Sequence, residues 1–167
     1  MELAHVELLQ RMPVFGGLRE ASLRQLLERA VPVQREAGQA FFREGDAAEA
    51  MYVLQRGRVA VTKAWQGGEF LLHELGSGDC FGEMALMDLQ PRSASVLALQ
   101  ACDAIEFGTH DMLQLYETDV AQFALMQMNL GRELCRRLRA TDELLFRATM
   151  GEALAPPARL EGPARPR

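Results

Sequence analysis

The chain has little of what several functional classes require. Its 167 residues include only three cysteines, Cys80, Cys102 and Cys135, with neither metal-ligand nor Cys-x-x-Cys spacing. They read as free thiols in a reducing cytoplasm, not as a disulfide framework or a zinc site. The three histidines, His5, His73 and His110, are scattered one to a segment. That excludes the clustered His and carboxylate ligands a metal enzyme needs, and no Ser-His-Asp or Cys-His set is suggested. The chain is therefore read as non-enzymatic, with no metal and no cofactor. Positive charge is also short: Lys and Arg total 18 against 23 Asp and Glu, a net charge of −5. Such a chain is not built to coat nucleic acid or an anionic membrane, so any anion site must be assembled locally. No run approaches the ~20 apolar residues that span a bilayer. Glu2, His5 and Glu7 interrupt the N-terminus, so no signal sequence is expected. What is present is a 49% apolar composition, which excludes global disorder and implies one domain plus an appendage.

Four zones follow in order. Residues 1–30 are predicted to form packing helices over Glu2–Arg11 and Ala21–Ala30, parted by Pro13 and Gly16–Gly17. Leu23, Leu26, Leu27 and Ala30 make one apolar stripe of the second helix. Over 31–108, short runs recur between glycine turns: Val31–Arg35, Ala40–Phe42, Met51–Gln55, Val59–Lys63, Phe70–Leu75 and Val96–Leu99. This spacing predicts an all-β sandwich or barrel. Over 109–150, Thr109 is expected to cap a helix starting near Asp111. After Thr118 a long helix runs to about Met150, with Phe123, Met126, Leu130, Leu134, Leu138, Thr141 and Leu145 three or four apart. Leu125, Met128, Cys135, Leu144 and Phe146 fall on other faces. One face is assigned to the β-roll and another to the partner helix of a parallel homodimer; the alternative is that one monomer covers both. Arg132, Arg136, Arg137 and Arg139 read as a solvated helix flank. Residues 151–167, with Pro156, Pro157, Pro163 and Pro166, are expected to be a disordered tail.

The stretch from Phe81 to Val96 carries the chemistry. A turn at Gly82 feeds a short helical run, Met84–Met87, whose start offers unpaired backbone N–H groups and a positive dipole end, both suited to a phosphate. Arg92 can add a forked, charge-assisted pair of hydrogen bonds, and Ser93 a hydroxyl donor. Glu83 would repel a phosphate. Its sensible task is to accept from a neutral hydroxyl held beside one, such as a sugar 2′-OH.

Phe81-Gly82-Glu83, Ala85-Leu86 and Pro91-Arg92-Ser93-Ala94 together resemble the phosphate-binding cassette (81–96) of the cyclic nucleotide-binding domain family. Arg43-Glu44-Gly45-Asp46 and Gln55-Arg56-Gly57 also resemble turns of that family. The resemblance implies a mainly β fold with flanking helices: an eight-stranded jelly roll interrupted by the cassette, N-terminal helices, and a long C-terminal helix. It implies a cyclic nucleotide ligand, cAMP first, with cGMP or cyclic di-GMP as alternatives. Arg92, the Ser93 hydroxyl and the backbone N–H groups of Ala85 and Ala94 would hold the phosphate, and Glu83 the 2′-OH, within a cassette that includes Phe81, Gly82 and Met84. Val61 and Leu75 would touch ribose and base, Thr141 would read the base edge, and Asp142 would reach in across the dimer. The long helix is followed by proline and not by a helix-turn-helix segment, so a stand-alone sensor is expected, without direct DNA or membrane binding and with an unspecified downstream protein partner. The competing class is an interaction protein that kept the roll and lost the ligand.

Overall fold

The computed structural model describes residues 2–160. Helix α1 (Glu2–Arg11), a 3-10 turn (Pro13–Phe15) and helix α2 (Glu20–Arg29) precede eight strands. These are β1 (Val31–Arg35), β2 (Ala40–Phe42), β3 (Ala50–Arg56), β4 (Arg58–Trp65), β5 (Gly68–Gly76), β6 (Cys80–Phe81), β7 (Ser95–Ala98) and β8 (Cys102–Gly108), with helix α3 (Met84–Asp88) between β6 and β7. Helices α4 (Thr109–Thr118) and α5 (Val120–Thr149) follow, then β9 (Arg159–Leu160). Two antiparallel sheets result, ordered β1-β8-β3-β6 and β2-β7-β4-β5-β9.

Side-chain alternation explains the layering. Along β3, Ala50, Tyr52 and Leu54 enter the core between the sheets, while Met51 and Val53 join a second core beneath the helices. A strand buried on both faces reads as a continuous apolar run, which is what β3 is. The second core joins Leu9, Phe15 and Leu23 to Met112, Leu115, Met126 and Leu130. Asn129, buried among them, donates from its side chain to the carbonyls of Val14 (3.2 Å) and Gly16 (2.9 Å). It fastens the N-terminal turn to α5.

The structure corrects several expectations. Strands β6 and β8 were not among the runs read from the sequence, because Asp103 and Glu106 interrupt the apolar content of β8; the alternation of Cys102 and Ala104 with Ile105 and Phe107 was the available signal. Among the described residues, nine strands stand where eight were expected. The ninth comes from the supposed disordered tail: β9 pairs with Glu69 and Phe70 on the edge of β5, and Leu71 N–H donates to the Ala158 carbonyl at 2.8 Å. Residues 161–167 of that tail lie outside the described residues. Thr109 is not a helix cap. Helix α4 starts from Gly108, whose N–H is accepted by the Asp111 carboxylate at 2.8 Å.

Replacing Asn129 by Ala leaves two interior carbonyls short of a donor. The expected loss is about 1–3 kcal/mol of stability, read as a lower urea midpoint at an unchanged slope.

Candidate functional site

A cavity of about 270 Å³ opens between the second sheet, the 81–94 segment and α5. Phe81, stacked on Tyr52 at 5.3 Å between ring centres, and Phe42 form an aromatic side. Val61, Leu72, Leu75 and Val96 form an aliphatic one. Burial, then the hydrogen bond to Glu106, push the Tyr52 phenol up to about 12, so it stays neutral.

Arg92 is 5% exposed. Its Nη1 donates to the Gly82 carbonyl (2.9 Å) and its Nη2 to that of Ala50 (2.6 Å), and the guanidinium lies 4.0 Å over the Phe42 ring. Its backbone is pinned by the loop before β3, where Arg92 N–H donates to the Asp46 carbonyl and Gly45 N–H to that of Arg92. Burial lowers its pKa from the ordinary value, though arginine keeps its charge. Its Nε is buried with no hydrogen-bond partner among the described residues. Gly82 makes this packing possible: its φ is +80°, and a Cβ there would stand 2.6 Å from Arg92 Nη1.

Glu83 is 1% exposed. One carboxylate oxygen, Oε1, accepts from Arg137 Nη1 at 2.5 Å. The other, Oε2, is buried and has no partner among the described residues. Arg137 also donates to Glu133 (3.3 Å) and to the Cys80 carbonyl (3.4 Å). The cavity wall thus carries three cations, Lys63, Arg92 and Arg137, and two carboxylates, Glu83 and Asp88. Lys63 pairs with Glu44, and Arg137 with Glu83 and Glu133, which leaves Arg92 as the wall cation with no carboxylate partner among the described residues. His73 adds no charge at pH 7, because burial and then the nearby Arg137 hold its pKa below the ordinary range. Cys80, behind the wall, is pushed up to about 12 by burial and then by Glu83, so it is an inert thiol.

Of the residues expected from the sequence, Val61, Leu75, Phe81, Gly82, Glu83, Met84, Arg92, Ser93 and Ala94 all border this one cavity. Ala85 lies in α3, and its side chain is outside the described residues. Thr141 is not brought to it: it is exposed, and its hydroxyl donates back to the Arg137 carbonyl at 3.0 Å. Asp142 is exposed as well. Arg137 is the main correction. It was read as part of a solvated flank, yet it reaches the buried carboxylate. The signal was there: Met126, Leu130, Glu133 and Arg137 follow at steps of four, three and four, so they continue one core-facing stripe. Lys63 and His73 were also missed. Lys63 shares a strand face with Val61 through the period of two, and His73 pairs across from Val61.

Residues 32–119 match the family model described as a cyclic nucleotide-binding domain. The chain is 30% identical over 140 residues to the CRP-like cAMP-activated global transcriptional regulator of Mycobacterium tuberculosis, covering 83% of this chain and 61% of the relative. It superposes on the catabolite activator protein of Thermus thermophilus with a TM-score of 0.72 at 32% identity, over 82% of this chain and 63% of that one. A cyclic nucleotide-binding domain from Methylobacillus flagellatus shares the fold, with a TM-score of 0.77 at 23% identity over 92% of this chain and 86% of that one. The chain spans about three fifths of the length of the two regulators.

Arg137→Met leaves the buried Glu83 carboxylate without its cation. A loss of about 2–3 kcal/mol is expected by urea denaturation, discounted for the partial exposure of Arg137, and Glu83→Gln in the same chain should recover most of it.

Proposed function

The chain belongs to the cyclic nucleotide-binding domain family, and from that premise we propose that it is a non-enzymatic cytoplasmic sensor of a cyclic nucleotide, with cAMP the first-choice ligand. One observation carries the reading: Arg92 and Glu83, which line the same cavity, each hold a buried polar atom of opposite character, Nε and Oε2, that has no hydrogen-bond partner among the described residues. Buried polar groups without partners cost free energy. A cyclic phosphate meets the first need and a ribose 2′-OH the second. The cavity volume lies near the lower end of the roughly 300–1,000 Å³ range of small-molecule sites, which favours a mononucleotide over cyclic di-GMP.

In this reading the cyclic phosphate sits against Arg92, the Ser93 hydroxyl and the backbone N–H groups of Ala85 and Ala94. The sugar hydroxyl donates to Glu83, and the apolar wall takes ribose and base. Because Glu83 already holds Arg137, a ligand on that carboxylate acts directly on α5. Helix α4 would serve as the lever between Gly108 and Asp119, and a difference in ligand affinity between two α5 positions would be the output.

The output surface is a second copy of the chain. From residue 138 to 149 every α5 residue is exposed. Met128, Gly131, Cys135, Leu138, Asp142, Leu145 and Thr149 follow at alternating steps of three and four, the spacing of a two-helix seam, and Met128, Leu138 and Leu145 are more than half exposed. In such a dimer Thr141 and Asp142 would approach a base from the helix side. Direct DNA binding by residues 1–167 is not part of the proposal.

Wild-type protein should show a higher melting temperature with cAMP, and competition with cGMP and cyclic di-GMP should rank the three ligands. Arg92→Ala should lower cAMP affinity at least about 100-fold by calorimetry, since hydrogen bonds to charged groups are worth about 1.5–3 kcal/mol each. No thermal shift with any of the three would favour the ligand-free interaction protein instead. Leu138→Asp should convert a dimer to a monomer by sedimentation equilibrium.

A further inference from the structure

Lys63 lies outside the 81–96 segment, and nothing in its local sequence marks it as a binding residue. It stands two positions after Val61 on β4, so period-two geometry turns both side chains to the cavity side of the strand. Thr62 between them is fully buried, and the same period of two turns it to the other face of the strand. Val61 lies against the apolar wall. Lys63 lies at the opposite, polar end, where β4 passes the exit of the cassette: its Nζ donates to the Ser93 carbonyl at 2.9 Å. The same ammonium pairs with Glu44 Oε1 at 3.1 Å. Glu44 is itself held, its other oxygen accepting from Ala64 N–H at 3.1 Å while its own N–H donates to the Ser95 hydroxyl at 3.0 Å. Lys63 is therefore a positioned cation on the cavity rim and not a freely swinging surface lysine. An ammonium has three donors, and Ser93 and Glu44 take two of them.

We propose that Lys63 is a second phosphate-binding residue, its remaining N–H donating to the exocyclic phosphate oxygen that Arg92 does not take. The proposal rests on the reading of the cavity as a cyclic nucleotide site. Arg92 approaches the anion from the buried side and Lys63 from the solvent side, with Ser93 and Ala94 between them. The two exocyclic oxygens of a cyclic phosphate then meet chemically different cations: a forked guanidinium in the interior and a point charge at the rim. Lys63 thereby becomes a determinant of which oxygen can be replaced without loss.

The test is calorimetry on wild type, Lys63→Met and Lys63→Arg with cAMP and with the two phosphorothioate diastereomers of cAMP, in each of which sulfur replaces one exocyclic oxygen. Lys63→Met should bind cAMP about tenfold more weakly, with a shallower salt dependence. It should also shift the affinity ratio of the two diastereomers, because the oxygen facing residue 63 no longer meets a cation, and Lys63→Arg should restore affinity in part. An unchanged cAMP affinity in Lys63→Met would overturn the proposal. So would an equal loss for both diastereomers, which would mean that Lys63 only positions Ser93. Wild type that binds no cyclic nucleotide would overturn the underlying reading, and the role of Lys63 with it, a result distinct from wild-type binding that is indifferent to residue 63.

Discussion

A guanidinium cannot leave water unless something answers its charge and its donors. Arg92 has left water almost completely, and the surrounding structure is arranged to make that tolerable. The carbonyls of Gly82 and Ala50 take two donors, the Phe42 ring covers one face, and the loop before β3 grips the backbone on both sides. Gly82 must lack a Cβ and adopt a positive φ for the guanidinium to pack there. These contacts come from four separate parts of the chain, yet they leave Nε unanswered. In the proposed reading, that remaining donor is the one the ligand answers.

The second constraint joins that site to the rest of the molecule. Helix α5 is tied to the N-terminal turn by Asn129 and to the cassette by Arg137, eight residues along the same helix. Beyond Arg137 the helix meets no core at all. One rod is therefore anchored at the cavity and free at its far end. In the proposed reading, whatever alters the partner of Glu83 alters the lower anchor, and the free end would carry the change to the exposed face of α5. Such coupling would need no long relay, because the Glu83 carboxylate and α5 already share a hydrogen bond through Arg137.

How far the site could be read in the sequence follows from how local its parts are. The cassette is continuous in the chain, so its glycine, carboxylate, arginine and serine stand in fixed order, and seven of its expected residues, with Val61 and Leu75 from outside it, border one cavity. Lys63, His73 and Arg137 arrive from β4, β5 and α5, and only strand register and helix packing bring them there. Thr141 shows the converse: helical spacing puts it one turn beyond Arg137, but in the single chain that turn faces solvent. The tail misled for a related reason. Its prolines forbid a helix, but they do not forbid an extended edge strand, and β5 had an open edge to offer.

The amino-acid order alone settled the β character of the middle of the chain, the helical ends and the chemistry of the 81–94 segment, because strand alternation, helical spacing and turn chemistry act over a few neighbouring residues. Only the folded chain decided that Glu83 would lie opposite an arginine more than fifty residues away, that a lysine would stand at the cavity rim, and that a tail segment would close a sheet edge. Those outcomes depend on which surfaces exclude water together, and burial is a property of the assembled core and of no single segment.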